Sequence, residues 1–112
     1  IFHEFALHGG DVTLLDGNKF KTTIDISTIK YLVDIETNEE RQIPIQDVIQ
    51  LALYDSYPAY DDSNAIVTEN IVFDKQRSQI TIVSDKKPTH VQVDPKLMYI
   101  DRNLANNIIT LD

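Results

Sequence analysis

Residues 15–26, LDGNKFKTTIDI, hold the strongest local fold signal in the chain. Phe20, Ile24 and Ile26 alternate with polar side chains, which is the period-two pattern of a half-buried β-strand. The pair Asp16-Gly17 separates this run from an earlier apolar one, and Asp-Gly between two such runs predicts a β-hairpin. The stretch therefore predicts a strand that turns back on the one before it.

The same alternation recurs along the chain, while helical periodicity is almost missing. We expect a ragged first strand over 5–15, broken at Gly9 and Gly10. Residues 48–54 are apolar on nearly both faces, which is typical of a central strand covered on each side. Further strands are predicted at 66–73, 80–83 and 91–93, with a short last one at 97–100. A short helix is expected only near 45–49 or in the tail.

The alternation changes phase after Ile26, since Ile29, Tyr31 and Val33 are the next apolar members. A slip of one residue turns every side chain to the other face of a sheet. We therefore expect a bulge or bend near Ser27 and Thr28.

Turn-forming residues separate these runs at 16–18, 36–41, 57–64, 74–78 and 85–88. About seven short strands at this spacing predict an all-β fold, an immunoglobulin-like antiparallel β-sandwich, as a single domain over 1–112. Its core should hold the inward apolar side chains of the runs. These are Phe20, Ile24, Ile26, Leu51, Leu53, Ile71, Phe73, Ile80, Ile82, Val91 and Val93.

Composition limits the partners. Lys and Arg number 10 against 18 Asp and Glu, a net charge of -8, which repels phosphate backbones and anionic headgroups. We expect no nucleic acid partner, and no direct membrane insertion by this chain, because no apolar run approaches the ~20 residues of a span. Because the chain starts on Ile1 and not on Met, we expect an excised C-terminal fragment of a larger protein.

No catalytic pattern emerges. His3-Glu4 followed by His8 invites comparison with the zinc motif H-E-x-x-H, but histidines five apart lie roughly 140° apart around a helix. His90 stands alone, Cys is absent, and a G-x-S-x-G motif is missing. We expect no catalytic residue, no metal site and no bound cofactor in this chain.

A tyrosine-rich acidic loop is the candidate contact surface. Its members are Tyr54, Asp55, Tyr57, Tyr60, Asp61 and Asp62. Tyrosine offers a large contact area at low entropy cost, and loops at the end of a sandwich commonly carry contacts. Calcium also takes oxygens from such loops, but the spacing and glycine of an EF-hand are missing. The loop is either a partner-binding surface or a packed, solvated connection.

The tail, residues 84–107, reads SDKKPTHVQVDPKLMYIDRNLANN. A proline before the strand at 91–93 lets it begin cleanly, and Asp-Pro ends it because proline cannot donate to the ladder. A carboxylate, a guanidinium and an amide then follow, enough to tie down a chain end. The residues that we expect to form this structural motif are Pro88, Asp94, Pro95, Asp101, Arg102 and Asn103.

Three pieces of this tail, DKKP, VQVDP and YIDRN with a further Asn, carry a family resemblance. Lys30-Tyr31, the polar turn at 34–42 and DVIQLALYD at 47–55 extend it backwards, so it covers about 19–107. The pattern resembles the C-terminal β-domain of bacterial membrane proteins that fuse an ABC-type permease to a zinc aminopeptidase of the aminopeptidase N class. Asn106 and Lys96 depart from that pattern, which has an acidic and an aromatic residue there.

The resemblance implies a non-catalytic accessory domain that packs on the peptidase domain or restricts access to its cleft. It also implies a parent with a zinc site and transmembrane helices, in the bacterial inner membrane, with this domain on the extracytoplasmic side. Zinc is then expected in the parent, and the peptidase domain is the expected partner. The alternative is an independent immunoglobulin-like module that recognises a peptide, glycan or protein through its tyrosine-rich loop.

Arg102 has two interpretations. In the first, Asp94, Asp101 or backbone carbonyls near Asp94-Pro95 hold its guanidinium, and Arg102 stabilises the fold. Otherwise it contacts the missing peptidase domain.

Overall fold

The computed structural model describes residues 1–59, 63–98 and 107–111. They form eight strands, which are β1 (Phe2–Leu15), β2 (Lys19–Val33), β3 (Glu40–Ile43), β4 (Asp47–Tyr54), β5 (Ala65–Phe73), β6 (Arg77–Ser84), β7 (His90–Val93) and β8 (Ile108–Thr110). Every pairing is antiparallel. Across these ranges, no helix is long and apolar enough to cross a membrane.

Two four-stranded sheets enclose the core. In sheet A, β1 pairs along one edge of β2, and β6 and β3 share the other edge, at 20–27 and 30–33 of β2. In sheet B the strand order is β5-β4-β7-β8. The predicted all-β antiparallel sandwich is confirmed, with eight described strands where about seven were expected.

The core takes side chains from both sheets. It contains Phe5, Leu7, Ile24, Ile26, Ile45, Ile49, Leu51, Leu53, Phe73, Ile82, Val91, Val93 and Leu111. Ile71 and Ile80 pack against it partly buried, so ten of the eleven predicted core residues are confirmed as core or core-adjacent. Phe20 is the exception. It lies half-buried opposite Leu14, near the turn end of a strand almost twice as long as β4.

The predicted hairpin is confirmed. Leu15 pairs with Lys19, and the turn between them holds Gly17 and Asn18 at φ 78° and 60°. Glycine and asparagine are the residues that enter this left-handed region most readily. The local sequence therefore determines where β1 turns into β2.

The bulge lies on the neighbouring strand. β2 keeps a regular register through Ser27 and Thr28, so the bulge expected there is wrong. The shift occurs in β1, between Leu7 and Gly9, which leaves His8 as the extra residue.

Four further expectations are corrected in whole or in part. No helix forms at 45–49, because Ile45 is buried in the core and the β4 ladder starts at Asp47. The turn expected at 36–41 ends earlier, since Glu40 begins β3. Residues 97 and 98 lie outside any strand, whereas 99 and 100 fall outside the described residues. β4 is central as predicted, but both its faces are covered only over 51–54.

Candidate functional site

A cleft of about 590 Å³ opens between β5 and β6, the edge strands of the two sheets. One wall comes from the start of β2 and the end of β6, and the other from the start of β5 and the loop before it. The lining residues are Lys19, Val83, Ser84, Asp85 and Lys86 on the first wall, and Asp55 with Ser63, Asn64, Ala65, Ile66 and Val67 on the second. Although β5 and β6 are consecutive in the chain, they belong to different sheets, which leaves this side of the sandwich open.

The cleft carries charges of both signs. Lys19 Nζ donates to Asp85 Oδ1 at 2.7 Å, and this hydrogen bond with the positive charge lowers the pKa of Asp85. Both side chains are mostly exposed, so the pair contributes little to stability. Lys86 and Asp55 add one further charge of each sign. Next to the apolar wall at Ile66 and Val67, these groups suit a ligand with both polar and apolar parts, such as a polypeptide.

Asn64 fixes the loop that borders the cleft. Its Oδ1 accepts from the backbone N–H of Ala59 at 2.7 Å. Its Nδ2 donates to the Tyr57 carbonyl at 2.8 Å and to Ser56 Oγ at 3.1 Å. One side chain therefore binds three residues of the loop, Ser56, Tyr57 and Ala59. Sequence reasoning missed this role of Asn64, although asparagine's ability to mimic backbone groups in turns was a signal.

Only part of the tyrosine-rich loop is exposed at the surface. Tyr54 is fully buried, and its hydroxyl donates to Gln92 Oε1 at 2.7 Å, so it supports the loop from below. Asp55 is exposed and lines the cleft. Tyr57 is 69% exposed and lies edge-on to His90, with ring centroids 5.6 Å apart. Tyr60, Asp61 and Asp62 fall outside the described residues.

The first half of the tail motif is buried. Pro88 and Pro95 are both buried, and β7 ends at Val93 as the Asp-Pro pair predicts. Asp94 is 2% exposed and has φ 51°, its N–H donates to the Gln50 carbonyl, and its Oδ1 accepts from the N–H of Met98. Asp101, Arg102 and Asn103 fall outside the described residues, so both interpretations of Arg102 stay predictions.

A partly buried ionic cluster joins β1, β2 and β4. His3 Nε2 lies 2.9 Å from Asp47 Oδ2, and Lys30 Nζ lies 3.2 Å from the same atom. Burial acts to raise the pKa of Asp47, but the hydrogen bonds from His3 and Lys30, with their charges, lower it by more. The ring of His3 also stacks on Phe5. This arrangement ties three strands together, and sequence reasoning missed it.

The two histidines that suggested a zinc motif have different surroundings. His3 is buried against Asp47, whereas His8 is exposed and its Nε2 lies 2.8 Å from Ser27 Oγ. In the described part of the chain, no three His, Asp or Glu side chains come close enough to hold a metal ion.

Comparison with protein-family models, with curated proteins and with solved structures gave no match. The proposed function therefore rests on the cleft and its bordering loop.

Proposed function

We propose that this chain is a non-catalytic accessory β-sandwich domain that binds a polypeptide partner at the cleft between β5 and β6. The cleft itself carries the proposal. It combines an apolar wall, charges of both signs and a loop that Asn64 holds in place. Such a mixture provides affinity through the apolar wall and orientation through the polar groups.

The proposal includes an immunoglobulin-like fold. β2 pairs with β6 and β4 pairs with β7, so the chain crosses repeatedly between the sheets. Such crossings are characteristic of Greek-key sandwiches, in which function resides in loops and edges around a packed core. β3 is then an addition to the edge of β2.

The partner proposed first is the peptidase domain of a zinc aminopeptidase-like parent in the bacterial inner membrane, on its extracytoplasmic side. Support comes from the tail resemblance, whose strand ends in the buried pair Asp94-Pro95. Zinc and turnover would then belong to the parent, and this domain would pack beside its active site.

The second candidate is an independent module that recognises a peptide, glycan or protein through its tyrosine-rich loop. The observation that favours it is the exposed Tyr57 ring against His90. An aromatic ring that is rigidly supported and exposed is a common contact in recognition loops.

A charge reversal in the cleft tests the proposal. The proposed zinc aminopeptidase-like parent would supply the peptidase domain, and calorimetry measures the binding of that domain to the purified chain. Lys86→Glu should weaken binding about tenfold or more, because Lys86 lines the cleft. Lys75→Glu is the matched control, since it makes the same charge change in the exposed turn after β5.

The outcomes separate the two candidates. Binding that falls with Lys86→Glu but not with Lys75→Glu supports docking at the cleft. If the peptidase domain does not bind, but another polypeptide binds and is weakened by Lys86→Glu and not by Lys75→Glu, the independent module is supported. Equal effects of both variants, with every partner, would refute a role for the cleft.

A further inference from the structure

The free edge of β6 lacks the protection that edge strands normally carry. Among the described residues, β6 pairs with β2 alone, so its other edge presents backbone N–H and C=O groups without a strand partner. Apart from Arg77 at its start, which pairs with Asp25, β6 contains no charge and no proline over residues 78–84, SQITIVS. Edge strands usually carry such residues because they block pairing with another chain. The backbone groups on this edge of β6 can therefore pair with a further strand.

The other edge of this opening is protected. The register of β5 against β4 shifts by one between Leu53 and Tyr54, which is a bulge. Glu69 pairs with Leu51, a fully buried core residue, and therefore shares its inward face. A bulge and an inward charge are two of the devices that prevent strand addition. The contrast indicates β6, and not β5, as the docking edge.

The open side between the two edges, which we call the groove, has an apolar floor and one charge. Val67, Ile71 and Ile80 are partly buried and pack against the core. Glu69 is exposed, although it shares the inward face of β5 with Val67 and Ile71. At one end the groove meets the cleft that Lys86 lines, since Val67 belongs to both.

We infer that an extended polypeptide segment adds to the free edge of β6 and places a Lys or Arg side chain against Glu69. The inference rests on the proposed function and names its binding mode. An edge of eight residues spans about 26 Å, and an added strand directs every second side chain into the groove. Apolar side chains at those positions meet the floor, and a basic one in their midst meets Glu69.

A second copy of the chain fits this edge less well. Each copy has a net charge of -8, and a partner copy would bring its own Glu69 to the same open side. Like charges placed together disfavour association, whereas a basic segment gains from the field of an acidic protein.

A synthetic strand tests the inference. The probe is the fluorescein-labelled peptide Val-Thr-Val-Thr-Lys-Thr-Val-Thr-Val, and anisotropy measures its binding to the intact chain. Replacing its Lys by Glu should weaken binding about tenfold or more. Glu69→Lys should reverse this preference, and Glu39→Lys, the same change in an exposed turn, should leave it unaltered.

Backbone methylation of the probe makes the test specific for strand addition. In a strand, alternate residues direct their N–H groups to opposite edges, so either the Val/Lys set or the Thr set faces β6. One form carries N-methyl groups on its valines and the other on its threonines. Strand addition predicts that one form binds like the parent peptide and the other loses binding.

Two results would overturn the inference while the proposed function stands. One is equal binding of both methylated forms, with sensitivity to Lys86→Glu retained. The other is no peptide binding by a chain that still binds the peptidase domain. A dimeric chain whose β6 amides are protected from hydrogen exchange without peptide would assign the edge to a second copy, and also overturn it.

Discussion

Gly10 and Leu111 approach so closely that no side chain fits between them. A Cβ atom at position 10 would lie 2.5 Å from Cδ2 of Leu111 and 3.3 Å from the carbonyl oxygen of Thr23. Leu111 is itself buried, and its N–H donates to the Thr89 carbonyl at 2.8 Å, so it has little room to withdraw. This contact closes the sandwich on the side where β1 meets the end of β8.

Gly10→Ala should therefore destabilise the fold by about 1–3 kcal/mol, because an added methyl group must displace a packed neighbour. Gly9→Ala is the matched control, since nothing lies within 4 Å of its added Cβ. Urea unfolding of both variants measures the difference. Equal stabilities would show that Leu111 can move aside freely.

Thr22 and Thr28 offer a paired test of buried hydroxyl groups. Both are buried on the inward face of β2, but only Thr28 Oγ1 has a described partner, the Lys75 carbonyl at 3.2 Å. Thr22→Val should stabilise the protein by about 1 kcal/mol, since it removes a buried hydroxyl without a described hydrogen bond. Thr28→Val should destabilise it by a similar amount. Chemical unfolding distinguishes the signs, and a loss of stability in Thr22→Val would contradict the argument.

Asp47 should make stability depend on acidity. Its pKa is lowered in the folded state, so its contribution is present above the unfolded pKa and is lost as pH falls through the folded one. From about pH 4 downward, the wild type should lose stability more steeply than Asp47→Asn. At neutral pH that variant should be less stable by about 1–3 kcal/mol, because His3 and Lys30 lose the carboxylate charge and one of its two acceptor oxygens at a partly buried site.

Asp85→Asn is the control for this pH profile. The pKa of Asp85 is also lowered, by Lys19, but its side chain is largely exposed, so the variant should follow the wild-type profile closely. Thermal unfolding across the acid range compares all three proteins. A profile for Asp47→Asn that matches the wild type would exclude the ionic cluster as the source of the pH dependence.

The centre of the core should be intolerant of truncation. Leu51 and Phe73 lie on the neighbouring strands β4 and β5 of sheet B, with at most 1% of their surface exposed. Changing either to Ala should cost about 2–5 kcal/mol, against less than about 0.5 kcal/mol for Glu39→Ala in an exposed turn. Denaturant midpoints measure these differences. A small effect at both core positions would mean that the cavity collapses at little cost.

Sequence patterns predicted those parts of the fold that depend on neighbouring residues. Asp16-Gly17 located the hairpin, and alternation identified most of the core, because both signals are short-ranged. β3 was missed because its first three residues are polar and exposed, so it shows no apolar alternation, and β8 because three residues are too few for a period to show. The bulge was assigned to the wrong strand of its pair. Gly9 and Gly10 have no side chains to reveal the phase of β1. In β2, Ile29, Tyr31 and Val33 are apolar although they lie half-buried on its outward face, and this imitated a change of phase in a strand that has none.

The candidate site was harder to predict because it depends on the assignment of strands to sheets. The tyrosine-rich loop was identified from composition, but the cleft beside it also needs Lys19 and Lys86, which are distant in the chain. The ionic cluster likewise joins His3 and Asp47 across 44 positions. A polar residue with a distant partner leaves no periodic trace in a sequence.

The bulge at His8 makes the length of β1 adjustable at one place. Before it, odd-numbered residues such as Phe5 and Leu7 are buried, and after it the inward set is even-numbered, beginning at Gly10. Deleting His8 would keep every existing ladder partner and every inward face, since His8 has no partner in the ladder, and would remove its exposed side-chain contact with Ser27. Deleting Val12 instead would turn one half of the strand inside out. Insertions and deletions in this hairpin should therefore be tolerated at the bulge and selected against elsewhere along β1.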